Sequence, residues 1–242
     1  MIPKVIHYCW FGHNPLPSFA IKCIESWKKY LPDYEIKEWN EDNFNVNIIP
    51  YTAEAYRAGK YAFVSDYARF WILYQYGGLY FDTDVKIVKN FSFIVKQGAF
   101  MGWEKGVYLT GVNPGLGMGA DKGSKILKSM LDKYSRMSFS LEYAKPKRKT
   151  ITEYTMEVLI ERGLKKENTI QKVGDFFIYP SDYFGALDVV TKKLHLTQNT
   201  YSIHAYAASW NEFTNSSLKR KIRGMLPEWI LVLVYKLKHC RK

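Results

Sequence analysis

The ten residues YGGLYFDTDV, Tyr76 to Val85, constrain the chain more than any other stretch. Two glycines, a short apolar run and two aspartates one residue apart form the sequence of a turn, a strand and a polar strand end. Side chains alternate along an extended chain, so Asp82 and Asp84 are expected on one side and Thr83 on the other. Two like charges so close are costly unless a cation, a donor or a proton compensates. The spacing therefore fits a divalent metal with oxygen ligands, Mn²⁺ or Mg²⁺. The alternative is the polar end of an ordinary strand, since aspartate is a common turn residue.

The preceding residues form the clearest helix, YAFVSDYARFWILYQYGG. Phe63, Tyr67, Phe70, Trp71 and Tyr74 recur at helical spacing and predict one apolar face, with Gly77 ending the helix in a left-handed turn. Asp66 and Arg69, three apart, are neighbours on it; an intrahelical ion pair accounts for them as well as a site does. Upstream, residues 4–10 read as a buried strand and Gly12, Pro15 and Pro17 as a loop. Ser18 is placed to cap a helix running to Tyr30, and residues 34–39 read as a second strand. Strand, helix and strand at short spacing predict a parallel α/β unit, whose ligands bind outside the carboxyl ends of the strands. Later strands are expected in AFMGWE, GLGMGA, DFFIYP and TYSIHAY, helices in SKILKSMLDKY and ITEYTMEVLIERG, and an exposed basic loop in LEYAKPKRKT.

The chain has 242 residues, enough for a substantial core, and 47% of them are hydrophobic. No internal repeat or domain linker interrupts it. Its three cysteines, Cys9, Cys23 and Cys240, lack metal-ligand spacing and favour a reducing compartment over a disulfide framework. The N-terminus has no signal-peptide core, and the longest apolar run, WILVLVY, is far below the roughly 20 residues that span a bilayer. Much of the formal charge of +12 flanks that run, in SLKRKIRG and KLKHCRK. Residues 1–215 are read as the folded domain and 216–242 as a basic amphipathic tail. The tail suits an anionic membrane surface, and equally a terminal helix docked on the core with a solvated basic end.

Taken together, IPKVIHYCWFG, the Ser26-Trp27 pair, residues 61–85, YPSDYF and TYSIHAYAASW resemble glycosyltransferase family 32, sugar transferases with a DxD motif. The likeness runs from the first strand to about Trp210. It implies a GT-A fold, a Rossmann-like α/β domain with a central mixed sheet, using a nucleotide-sugar donor and Mn²⁺ or Mg²⁺ with retention at the anomeric carbon. Carried onto this chain, it implies that Asp84 and Asp82 ligate the metal, with Asp82 also near ribose or sugar, and that His204 is a further ligand. Asp66 is implied to bond donor hydroxyls and Arg69 to contact sugar or diphosphate oxygens. Trp10 is implied to flank the base, and Ser209 with Trp210 to close on the diphosphate. Ser65, Gly78, Tyr80 and Asn113 are further donor-site candidates. UDP-hexose is the expected donor ahead of GDP-mannose, and the acceptor a saccharide, lipid-linked, at the cytoplasmic face of a membrane. No carboxylate stands out as a nucleophile for double displacement, and the choice between that and front-face attack stays open.

Two other classes are weaker. A nucleic-acid binder would use basic residues interleaved with aromatics, whereas here the basic residues crowd the tail and the aromatics keep core spacing, so no nucleic-acid partner is expected. An Asp-x-Asp phosphatase needs Thr or Val two residues after the second Asp, where this chain has Lys86. A non-catalytic module at a membrane surface explains the tail but not residues 61–85.

Overall fold

A computed structural model describes residues 1–106, 109–146 and 148–207, the side chains of Leu109 and Thr110 excepted. The tail, Ser209 and Trp210 lie outside the described residues. The strands are β1 (Val5–Cys9), β2 (Glu35–Trp39), β3 (Gly78–Tyr80), β4 (Val85–Ile87), β5 (Ala99–Lys105), β6 (Leu109–Val112), β7 (Met118–Ala120), β8 (Gln171–Val173), β9 (Phe176–Tyr179) and β10 (Ser202–His204). The helices are α1 (Ser18–Tyr30), α2 (Pro50–Arg57), α3 (Tyr61–Tyr76), α4 (Ser92–Gln97), α5 (Lys125–Tyr134), α6 (Phe139–Ala144), α7 (Ile151–Ile160) and α8 (Ser181–Phe184).

An eight-stranded sheet runs β2-β1-β3-β7-β5-β9-β8, with β6 added beside β5. β2, β1 and β3 are mutually parallel; β7 reverses the direction, and β5 and β9 are again parallel. This is the mixed sheet expected of a GT-A domain. A separate antiparallel pair, β4 with β10, sets Val85 opposite His204. Alternation along the strands separates two apolar clusters. Tyr80, Phe70, Leu73 and Tyr134 belong to one, under α2, α3 and α5; Leu79, Phe81, Trp27 and Phe184 belong to the other, under α1 and α8.

Several local expectations need correction. Ser18 is the first helical residue of α1, not its cap; Pro17 occupies the cap position and no side chain caps it. Helix α3 is buried more widely than one stripe, because Val64, Ala68, Ile72 and Leu73 are fully buried while Phe63, Trp71 and Tyr74 are only partly so. Gly77 has φ 68° but ψ −167°, so the chain leaves α3 directly into extended structure instead of a left-handed turn. The expected exposed loop at LEYAKPKRKT begins as helix α6, whose Ser138 cap accepts from the Leu141 N–H. A capping box at Thr150 and Glu153 then starts α7.

The α3–β3 junction sets where the aspartates emerge. Gly78 has φ 104°, and a Cβ there would lie 2.7 Å from the Val5 carbonyl oxygen, so only glycine lets β3 run this close to β1. His7, from β1, fastens the junction. Its Nε2–H donates to the Gly77 carbonyl at 3.0 Å, and its Nδ1 accepts from the Trp39 indole N–H at 3.0 Å. Only the neutral imidazole makes both bonds. Burial lowers its pKa to about 4, with Gly77 opposing and Lys37 adding.

The sign of the resulting pH dependence follows. The unfolded chain takes up the His7 proton near pH 6.5 and the folded protein only near pH 4, so stability present above pH 6.5 is lost as the pH falls through that window. At 1.36 kcal/mol per unit, the loss between pH 6.5 and pH 4.5 is about 2–3 kcal/mol. Urea unfolding at the two pH values is expected to show that drop in the wild type, and a drop smaller by about that amount in His7→Gln.

Candidate active site

Beyond Tyr80 the chain does not stay extended. Residues 83–84 turn, with the Val85 N–H returning to the Asp82 carbonyl at 3.0 Å. The two carboxylates therefore converge through a turn, not through strand alternation. The turn feeds β4, whose partner β10 brings His204 from far along the chain.

His204 Nε2 lies 2.9 Å from Asp84 Oδ1 and 3.9 Å from Asp82 Oδ2. Asp82, Asp84 and His204 each offer one ligand atom, and those atoms lie within 4.8 Å of one another. The other oxygen of Asp84 accepts from the Ala207 N–H at 2.8 Å, and its main-chain carbonyl from the Ala205 N–H at 3.0 Å. Burial raises the Asp84 carboxyl, but His204 and the Ala207 N–H outweigh it and hold the group at about 2. Burial works against the His204 imidazolium, yet Asp84 and Asp82 raise it. His204 Nε2, close to both carboxylates, thus offers the compensation that two adjacent carboxylates require. Its Nδ1 is buried without a hydrogen-bond partner among the described residues.

The donor set fits a divalent cation. Two carboxylates and an imidazole nitrogen converge, and oxygen-rich sets suit Mg²⁺ and Mn²⁺. Holding the ion at His204 requires Nε2 to give up its proton.

A second cluster lies beside it. The Arg69 guanidinium, nearly inaccessible, places Nη2 3.1 Å from Asp66 Oδ1 and 3.2 Å from Asp82 Oδ1, while Nε donates to the Ser65 carbonyl at 3.1 Å. It also lies over the Tyr80 ring at 5.1 Å, and the Tyr80 hydroxyl donates to Asp82 Oδ1 at 3.1 Å. The helical ion pair is therefore real and extends to the first aspartate of the motif. Burial lowers the Arg69 pKa, but Asp82, Tyr80 and Asp66 together raise it. Desolvation pushes the Asp66 carboxyl up to about 7; Arg69 opposes the shift and Asp82 adds to it.

The remaining candidates are more dispersed. Ser65 spends its hydroxyl on the Tyr61 carbonyl. Trp10, at the end of β1, donates its indole N–H to the Asn14 carbonyl at 2.6 Å and packs on the apolar cluster under α1. Gly78 serves the approach of β3 to β1. Asn113 is buried, its Oδ1 accepting from the Gly115 N–H at 2.8 Å and its Nδ2 donating to Glu104.

Three features of the site escaped the sequence reading. Glu104 follows the buried part of β5 and accepts from Asn113 Nδ2, a contact that its strand pattern does not signal. Gly115 runs against Asp82, where a Cβ would meet Oδ2 at 2.2 Å; the Asn-Pro-Gly turn signal marked the bend but not its neighbour. Tyr206, with φ 49°, packs its ring edge-on to His204 at 4.3 Å.

Residues 17–101 match the family described as a glycosyltransferase sugar-binding region containing a DXD motif. Inositol phosphoceramide mannosyltransferase 3 of Schizosaccharomyces pombe is 27% identical over 146 residues, 59% of this chain and 40% of that protein. An uncharacterized glycosyltransferase of Acanthamoeba polyphaga mimivirus is 35% identical over 106 residues, 41% of this chain and 42% of that protein. The chain spans about two fifths of the length of these curated relatives. The structure of the PaToxG glycosyltransferase superposes with a TM-score of 0.51 at 20% identity, covering 66% of this chain and 69% of that one, and shares the fold. Residues 17–101 thus resemble a DXD-containing glycosyltransferase sugar-binding region, and the sheet shares the fold of a solved glycosyltransferase.

Proposed function

We propose that the protein transfers a hexosyl group from a nucleoside diphosphate sugar to a saccharide acceptor, with Mn²⁺ or Mg²⁺ at Asp82, Asp84 and His204. The observation that carries this reading is the convergence of those three side chains at the end of β3, against the buried Arg69 pair. When bound, the divalent ion supplies Lewis-acid neutralisation of the charge on the departing diphosphate.

The chain's own residues divide the remaining work. Asp84, fixed by the Ala207 N–H and by His204, presents an ionised oxygen over the whole physiological range. Asp82 is held from below by Arg69 and the Tyr80 hydroxyl through Oδ1, which leaves Oδ2 toward His204. Asp66 keeps one carboxylate oxygen on Arg69 and offers the other to donor hydroxyls. Arg69, nearly inaccessible, holds Asp66 and Asp82 in register.

Retention at the anomeric carbon, a lipid-linked acceptor and a membrane-surface location belong to the same proposal. The Schizosaccharomyces pombe relatives are named inositol phosphoceramide mannosyltransferases, so GDP-mannose joins UDP-hexose as a donor to be tried. Among the described residues no helix is long and apolar enough to cross a membrane. A thermal-shift series with UDP, GDP and their hexoses, with and without Mn²⁺, is expected to show one base stabilising the protein only when Mn²⁺ is present.

Asp84→Asn is expected to lower donor hydrolysis or transfer by ~10²–10³ while the protein still folds cooperatively, since one such charge interaction at a leaving group has that worth. Activity within about threefold of wild type in Mn²⁺ contradicts the assignment.

Arg69→Lys retains the charge but not the planar fork that reaches Asp66, Asp82 and the Ser65 carbonyl at once. Weaker donor binding together with a lower melting temperature is expected, because two buried carboxylates lose their shared partner. Normal turnover in the Lys variant would reduce Arg69 to a helix ion pair.

A further inference from the structure

We infer that Glu104 is a positioning residue for the cation site, acting through Asn113 and the turn it caps. The inference rests on the cation reading above. Glu104 is the penultimate residue of β5, where the ladder with β6 shifts register between Glu104 and Lys105. Its Oε2 accepts from Asn113 Nδ2, which fixes the orientation of the amide. Asn113 Oδ1 must then face the Gly115 N–H, 2.8 Å away, and so caps the single 3₁₀ turn Pro114–Leu116.

That turn touches both pieces of chain that carry the ligands. Gly115 lies directly against the Asp82 carboxylate, and its carbonyl accepts from the Asp82 N–H at 3.4 Å. The next carbonyl, Leu116, accepts from the Ser202 hydroxyl at 3.2 Å, on β10 two residues before His204. Asp82 and His204 are distant in sequence and meet across this turn. A turn that shifts by a fraction of an ångström moves both ligands relative to each other.

Outer partners that orient metal ligands typically change affinity by 10–100-fold when lost. The test is Mn²⁺ titration of the full chain, followed by the electron paramagnetic resonance signal of free Mn²⁺, with a melting curve for each variant. Glu104→Ala is expected to weaken Mn²⁺ binding by about tenfold or more. Glu104→Gln, whose amide oxygen still accepts from Asn113, is expected to stay within about threefold of wild type. Asn113→Asp sets two carboxylates face to face and is expected to bind as weakly as Glu104→Ala. Combining Glu104→Gln with Asn113→Asp reverses the hydrogen bond, Gln donating to Asp, and leaves an oxygen for the Gly115 N–H. Restoration to within about threefold of wild type is expected of that pair, a coupling that only the contact itself explains.

Wild-type affinity in Glu104→Ala overturns the inference, as does a double variant no better than Asn113→Asp. Should Glu104→Ala fail to fold, the double variant decides. A wild type that takes up no Mn²⁺, or an Asp84→Asn variant that binds it as well as wild type does, overturns the cation reading and this inference with it.

Discussion

Three carboxylates drawn to one end of a sheet are the constraint around which this molecule is arranged. Asp66, Asp82 and Asp84 repel one another, and partial burial strengthens the repulsion. The fold answers with two buried cations of different kinds. Arg69 is permanently charged and bridges Asp66 to Asp82. His204 is charged only conditionally and lies between Asp82 and Asp84. The first compensation is structural and fixed, while the second can be exchanged for a bound ion. An Arg at 204 would have made the site stable and closed; a histidine leaves it able to accept a divalent cation.

The backbone supplies the precision. Two consecutive glycines bring β3 against β1, and the neutral His7 ties their junction to the strand beneath and to Trp39. Helix α3 therefore delivers Asp66 and Arg69 at a fixed height relative to Asp82. On the other side, α1 steadies β4: the Trp27 indole donates to the Val85 carbonyl, and the Ile87 N–H donates to the Ser26 hydroxyl. The Ser26-Trp27 pair, distant from the motif in sequence, thus has a specific task in holding the strand that leaves Asp84.

Much of this was legible in the residues. The first parallel unit follows from β-rich and helical runs separated by Gly and Pro, and the structure places β1, α1, β2 and α3 within a residue or two of expectation. Local periodicity is a strong signal where an element is long and one-sided. It fails for α2, α4, α8, β4, β6 and β8, all short and defined by what they pack against. It also understated how much of α3 is buried, because that helix packs on β1 as well as on α2 and α5.

The site divides in the same way. Asp66, Arg69, Asp82 and Asp84 lie within nineteen consecutive residues, and their spacing carried the reading. His204 entered only through family resemblance, since no local pattern links β10 to β4. Glu104 and Gly115 were missed, because their importance lies in a contact between distant segments. The most direct test of the account is crystallographic: crystals soaked with MnCl₂ and a nucleoside diphosphate, with anomalous diffraction recorded at the manganese edge. The account predicts a single strong anomalous peak ligated by Asp82, Asp84 and His204. A peak bound elsewhere, or an empty site with His204 still paired to Asp84, would contradict it.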